Sequence, residues 1–212
     1  MNLSRNMTDL AAFRMNERYV SINNNNNKLY RNQSLPANNP IKSRPFDPNA
    51  IKQQMYTRHN NYRYLHNSPL LCWSAELAEF SQVWANKIAE KGYLQYSENP
   101  SLGENIVIVD LQECPTGEEI VDKWYEERKY YDYDKPGWSK STFHFSQMIW
   151  RSSSEIGVGV QKFKNKNCAA IVVNYKPCGN DNLPGEYKKN VLMPKPVNMK
   201  DIKKRNSCQN SF

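Results

Sequence analysis

The chain has 212 residues, with 29 Lys and Arg against 21 Asp and Glu for a net charge of +8; that leaves room for one domain with tails and too little for two. The charge is uneven: residues 1–50 carry +4, 51–197 carry +1 and 198–212 carry +3. A DNA-binding fold with a basic recognition face is therefore disfavoured, and no nucleic-acid partner is expected. No apolar run approaches the ~18 residues that span a bilayer. The opening has no uninterrupted apolar h-region, and no myristoylation or prenylation motif is present, so the expectation is a chain neither routed to secretion nor lipidated.

In chain order, residues 1–46 read as a disordered basic tail. Twelve of the first 50 residues are Asn, including Asn23 to Asn27, and such a tract buries too little to offset its ordering entropy. Asn2, Asn6 and Asn32 fit the N-x-Ser/Thr pattern and are read as chance. The globular block runs from 47 to 197. Asp47-Pro48 is a helix start, opening a helix from Asn49 to His66 that Ser68-Pro69 follows. Ser74 opens a second helix, with Leu77, Phe80, Trp84 and Ile88 along one face and Gly92 closing it.

Thr116 opens a third helix with Glu119 completing a capping box; its stripe is Ile120, Trp124 and Tyr131. A short fourth helix covers Thr142 to Trp150. Strands are expected at Asn105–Asp110, Ile156–Phe163 and Ala169–Tyr175, all rich in Val and Ile. Residues 198–212 read as a basic C-terminal tail. Four helices and about three strands make an α+β or layered α/β/α domain.

Five cysteines, Cys72, Cys114, Cys168, Cys178 and Cys208, are too few for a disulfide scaffold, and no CxxC pair offers a thiolate zinc site. Reduced thiols are expected; the alternative is a single Cys168–Cys178 bridge in an oxidising compartment. No HExxH, GxSxG, GxxxxGK[ST] or GxGxxG occurs. Glu127 stands out because it lies seven residues from Ile120 and three from Trp124, inside an apolar stripe. A carboxylate there is costly unless hydrogen-bonded, paired or metal-bound; the alternative is a Glu at the stripe edge reaching back to solvent. His144, in FHFSQMIW, is either a packing histidine or a ligand, with Gln147 placed to orient its ring. His59 and His66 are read as surface or rim residues with structural roles.

Phe143 to Trp150, followed by Ile156-Gly157-Val158-Gly159, resembles the first signature of the CAP superfamily of cysteine-rich secretory proteins, antigen 5 and pathogenesis-related protein 1. Asn174-Tyr175-Lys176-Pro177-Cys178-Gly179-Asn180 resembles the second. His59-Asn60-Asn61-Tyr62-Arg63, Ser74-Ala75-Glu76-Leu77-Ala78, Gly103-Glu104-Asn105 and Trp124-Tyr125-Glu126-Glu127 extend the likeness over about 55–195. The ending Asn190-Val191-Leu192-Met193-Pro194-Lys195, with no cysteine-rich module after it, looks most like the Golgi-associated branch.

The resemblance implies an α–β–α sandwich with a central mixed or antiparallel sheet of three to four strands, about four flanking helices and a large cleft. It implies structural roles for Gln147, Trp150, Tyr175, Pro177, Gly179 and Asn180. In many members two histidines and two glutamates line the cleft and hold a divalent metal. The matching positions are His144, Glu104, Glu127 and Tyr96, a tyrosine in place of the second histidine. A phenol with pKa near 10 ligates poorly at neutral pH, so His144, Glu104 and Glu127 are expected to form at most a weak metal site, and no cofactor is required. The resemblance further implies a non-catalytic protein that binds lipid, sterol or an anionic membrane surface, often as a homodimer, at the Golgi or cytoplasmic periphery. The alternatives are a secreted defence or reproductive protein, or a metal-assisted hydrolase or protease built on His144, Glu104 and Glu127.

Overall fold

Asp47 begins the first element: its carboxylate accepts the amides of Asn49 and Ala50 at 2.9 and 3.2 Å, and Pro48 occupies the first turn of α1, Pro48–Leu65. The computed structural model describes residues 45–195; the N-terminal tail other than Pro45 and Phe46, the tail at 198–212 and Cys208 lie outside them. Phe46, assigned to the tail on composition, packs against the core. After α1 come β1 (Cys72–Trp73), α2 (Ala75–Lys91), β2 (Gly103–Asp110), α3 (Gly117–Glu126), a 3-10 turn (Glu127–Tyr130), α4 (Phe143–Ile149), β3 (Glu155–Lys162), β4 (Cys168–Lys176) and α5 (Glu186–Asn190).

The expected capping box is present: Thr116 Oγ1 accepts the Glu119 amide at 3.2 Å, and Glu119 Oε2 accepts the Thr116 amide at 2.7 Å. Gly92 closes α2 in the left-handed region at φ 82°. The two-residue β1 and the five-residue α5 are too short to leave a pattern in the sequence.

The strands form one mixed sheet in the order β1-β3-β4-β2, with β1 parallel to β3 and the other pairs antiparallel. Helix α2 covers one face. The other carries α1, α3 and α4, giving the expected α–β–α layers. The central strand β4 is buried on both sides, which explains its nearly continuous apolar run. Ile171, Val173 and Tyr175 enter the core under α1, α3 and α4. Ala170 and Val172 enter the smaller core under α2.

The inward face of α2 differs from the predicted stripe. Its buried residues are Leu77, Ser81, Ala85 and Ile88, while Phe80 and Trp84 are half-buried at the flanks. Glycines on β3 are the cause. A Cβ on Gly157 would collide with the backbone of Leu77 and Ala78, and one on Gly159 with the backbone of Ser81. Small side chains on α2 and none on β3 let helix and sheet touch backbone to backbone. A hydropathy stripe weights bulk and so points to the wrong line of residues.

Arg63 ties these layers together. It is fully buried and forms no ion pair among the described residues. Its guanidinium donates instead to four carbonyls: Nε to Pro69 at 2.8 Å, Nη1 to Met148 and Trp150 at 3.0 and 2.8 Å, and Nη2 to Ser153 at 2.7 Å. Burial lowers its pKa to about 10, still protonated at neutral pH. The Arg63→Met variant keeps the stem and strands these carbonyls, and should lose about 4 kcal/mol of stability in urea denaturation. A loss under about 1 kcal/mol would contradict this role.

Candidate functional site

The site is built around α4, whose seven residues include six buried ones. Its preceding residue, Thr142, supplies no side-chain cap. The cap comes from another element. Glu127, first residue of the 3-10 turn after α3, accepts the backbone amides of His144 and Phe145 through Oε2, both at 3.1 Å. Its Oε1 lies 2.6 Å from His144 Nδ1. An ionised carboxylate only accepts, so Nδ1 carries the proton and the tautomer is set. The predicted inward carboxylate is thus hydrogen-bonded and paired, and its side chain is 20% exposed rather than extended into solvent.

His144 is 1% exposed. Its ring stacks on Trp124, with centroids 5.3 Å apart and planes at 9°, and tilts against Phe143 on the other side. Gln147 does not orient this ring, as the sequence suggested; Glu127 does. Gln147 turns the other way, where Oε1 accepts the Gly179 amide at 3.0 Å and Nε2 reaches Ser153 Oγ at 3.4 Å. The neighbouring Asn180 holds α4 at two points, Oδ1 accepting from Ser146 Oγ at 2.7 Å and Nδ2 donating to the Phe143 carbonyl at 2.9 Å. The Pro177 carbonyl accepts from Ser153 Oγ at 2.8 Å, and Trp150 is buried edge-on to Tyr187.

Glu104 is not part of this group. Side chains alternate along β2, and its neighbour Asn105 donates to the His144 carbonyl at 3.2 Å on the α4 face. Glu104 therefore faces α2, where it accepts the Ser97 amide at 2.8 Å and Asn174 Nδ2 at 3.2 Å. Asn174 Oδ1 lies 2.8 Å from Ser81 Oγ. Burial raises the Glu104 pKa, and the bonds from Ser97 and Asn174 oppose it. Tyr96 packs its ring on the same α2-side core.

The residues present do not fit a metal. Among the described residues no three His, Cys, Asp or Glu side chains group as metal ligands. Of the residues drawn into the weak site, Glu127 already accepts three donors, and Glu104 accepts the Ser97 amide and Asn174 Nδ2. The alternative Cys168–Cys178 bridge is not formed, since both are free thiols. Cys168 opens β4 and Cys178 lies beyond its end, roughly 25 Å of extended strand away, against the 4.4–6.8 Å Cα separation a disulfide requires.

His59 and His66 are fully buried, not surface or rim residues. His59 contacts the Met55 carbonyl and Tyr175 hydroxyl, each at 2.7 Å; His66 contacts the Leu192 carbonyl at 2.6 Å and Tyr125 hydroxyl at 3.0 Å. The sequence missed their burial, along with Arg63, Asn105 and Ser81. Asn174 left a signal, a polar residue at the end of an otherwise apolar strand. Burial pushes both imidazoles from about 6.5 down to about 4. The unfolded chain takes up these protons below about pH 6.5 and the folded protein does not. Their contribution to stability is therefore intact above that pH and declines as pH falls from about 6.5 toward 4. In an NMR titration neither ring should protonate above about pH 5; a midpoint near 6.5 for either would contradict its burial.

Residues 56–175 match the family of cysteine-rich secretory proteins, CAP. The chain is 33% identical over 140 residues to Golgi-associated plant pathogenesis-related protein 1 of Homo sapiens, covering 65% of this chain and 89% of that protein. It is 37% identical over 139 residues to protein PRY2 of Saccharomyces cerevisiae, covering 65% of this chain but 40% of the yeast protein, so it spans less than half of that relative. Venom allergen-like protein 4 of Schistosoma mansoni has the same fold, with a TM-score of 0.51 at 24% identity over 69% of this chain and 96% of that one. With more than half its length matched, the chain belongs to the cysteine-rich secretory protein (CAP) family.

Proposed function

We propose that this CAP protein is a non-catalytic binding module that associates peripherally with anionic lipid surfaces and takes a lipid or sterol ligand. The observation that carries the non-catalytic reading is the use already made of the cleft carboxylates. Glu127 accepts two backbone amides and the His144 ring, and Glu104 accepts the Ser97 amide and Asn174. A general base needs lone pairs directed at a substrate proton or water, and these are directed at the fold.

The lipid reading is supported by charge. Seven of the eight excess positive charges lie in residues 1–50 and 198–212, and each Lys or Arg near an anionic leaflet contributes about 1 kcal/mol, screened by salt. Among the described residues no helix is long and apolar enough to cross a membrane. A homodimer would present two sets of basic ends to one surface and raise avidity. The human relative named as Golgi-associated is consistent with a place at the Golgi membrane periphery.

The full-length chain should float with phosphatidylserine-containing vesicles at low salt, be released as salt rises, and leave neutral phosphatidylcholine vesicles unbound. Equal binding to neutral vesicles would contradict the electrostatic part. Turnover of a peptide or ester library that disappears in His144→Ala would contradict the non-catalytic part.

A further inference from the structure

The near-neutral charge of the folded block conceals a local concentration. Strand β3 ends at Lys162, and the hairpin leading to β4 adds Lys164 and Lys166; all three are exposed. The same end of the molecule carries Lys87 and Lys91, exposed on the last turns of α2. Contacts join the two elements into one surface. Lys166 Nζ donates to the Gly92 carbonyl at 2.9 Å, just past the end of α2. Lys91 Nζ donates to Gln95 Oε1 at 2.7 Å, and Lys87 lies 5.2 Å over the Trp84 ring. Tyr93, just past the end of α2, is 51% exposed.

None of the five lysines forms an ion pair among the described residues. Glu90 on α2, Asp110 at the end of β2 and Glu113 in the turn that follows it are acidic residues at this end, and they leave an excess of two positive charges. Lys91 and Lys166 complement the dipole at the C-terminus of α2, and an ammonium with three donors keeps some for a ligand after one bond of this kind. Lys87 is held over the Trp84 ring, while Lys162 and Lys164 enter no ion pair among the described residues. Lysines interleaved with an exposed tyrosine and a half-buried tryptophan match the chemistry of a bilayer interface, where ammonium groups meet lipid phosphate and aromatic rings settle at headgroup depth.

We propose that the β3–β4 hairpin and the C-terminal end of α2 form the face that this domain lays against an anionic bilayer, with Lys87, Lys162, Lys164 and Lys166 at the phosphates and Tyr93 among the headgroups. This rests on the proposed association with anionic lipid and goes beyond it by assigning the contact to the folded domain, not to its basic ends alone. It also sets an orientation: the hairpin end points at the membrane.

The test is vesicle binding by the full-length chain, with phosphatidylserine-containing vesicles at physiological salt. The combined variant Lys162→Gln, Lys164→Gln, Lys166→Gln should bind about a hundredfold more weakly than the parent. A charge-matched control, Lys123→Gln, Lys135→Gln, Lys188→Gln, removes exposed lysines from the side of the sheet away from α2 and should stay within about threefold of the parent. Equal losses in both variants would show that only total charge matters, and an undiminished hairpin variant would show that the ends bind alone; either overturns the face while leaving the lipid reading intact. Failure of the parent itself to bind would overturn the lipid reading. Loss of affinity for a double-stranded DNA oligonucleotide, with vesicle binding retained, would assign the face to nucleic acid and overturn the proposal.

Discussion

A helix of seven residues cannot hold itself. It is well under the ~12–15 residues at which an isolated helix becomes even marginal in water, and α4 is buried, so water cannot satisfy its ends. Every unmet amide or carbonyl there carries a desolvation cost, and the fold answers from elsewhere in the chain. Glu127 accepts the amides of His144 and Phe145 at one end. At the other, Arg63 takes the carbonyls of Met148 and Trp150, and the Ser68 hydroxyl takes that of Ile149 at 2.7 Å. An anion at the N-terminus and a cation at the C-terminus also match the helix dipole. The segment after α1 and the turn after α3 are thus both fastened to one short helix.

This constraint gives the polar residues of the cleft a physical role. Glu127 and the buried His144, stacked on Trp124, form one hydrogen-bonded pair, and the carboxylate sets the imidazole tautomer. Glu104 works across the sheet, where with Asn174 and Ser97 it anchors the loop after α2 to β2. Two hydrogen-bond systems run through these positions, one joining Glu127 to His144 and one joining Glu104 to Asn174 and Ser97. A tyrosine at the fourth position is compatible with such an arrangement, because neither system calls for a second imidazole lone pair.

Much of this was legible in the sequence wherever the signal was local. The Asp47-Pro48 start, the Thr116–Glu119 capping box, the Gly92 stop and the apolar runs of β3 and β4 all lie within a few residues of the structure they encode. Glu127 was legible because an acid inside an apolar stripe demands a partner, though the partner itself is 17 residues away and could not be read from α3. Arg63 left no trace: a cation on an amphipathic helix reads as surface, and its acceptors are backbone carbonyls, which carry no residue identity. His59 and His66 were misplaced for a similar reason: apart from the Met55 carbonyl on α1 itself, their partners come from β4, α3 and the segment after α5. The inward line of α2 failed differently, because it is chosen by two glycines on a distant strand and not by the bulk of its own side chains.

The arrangement of α4 depends first on Glu127 holding its N-terminus. Amide hydrogen exchange in Glu127→Ala measures this directly, with the amides of β4 as the internal reference. The His144 and Phe145 amides should exchange at least about tenfold faster than in the parent while β4 keeps its protection, as expected for a local opening of α4. Unchanged protection at both amides would contradict the account and leave the carboxylate free for another use.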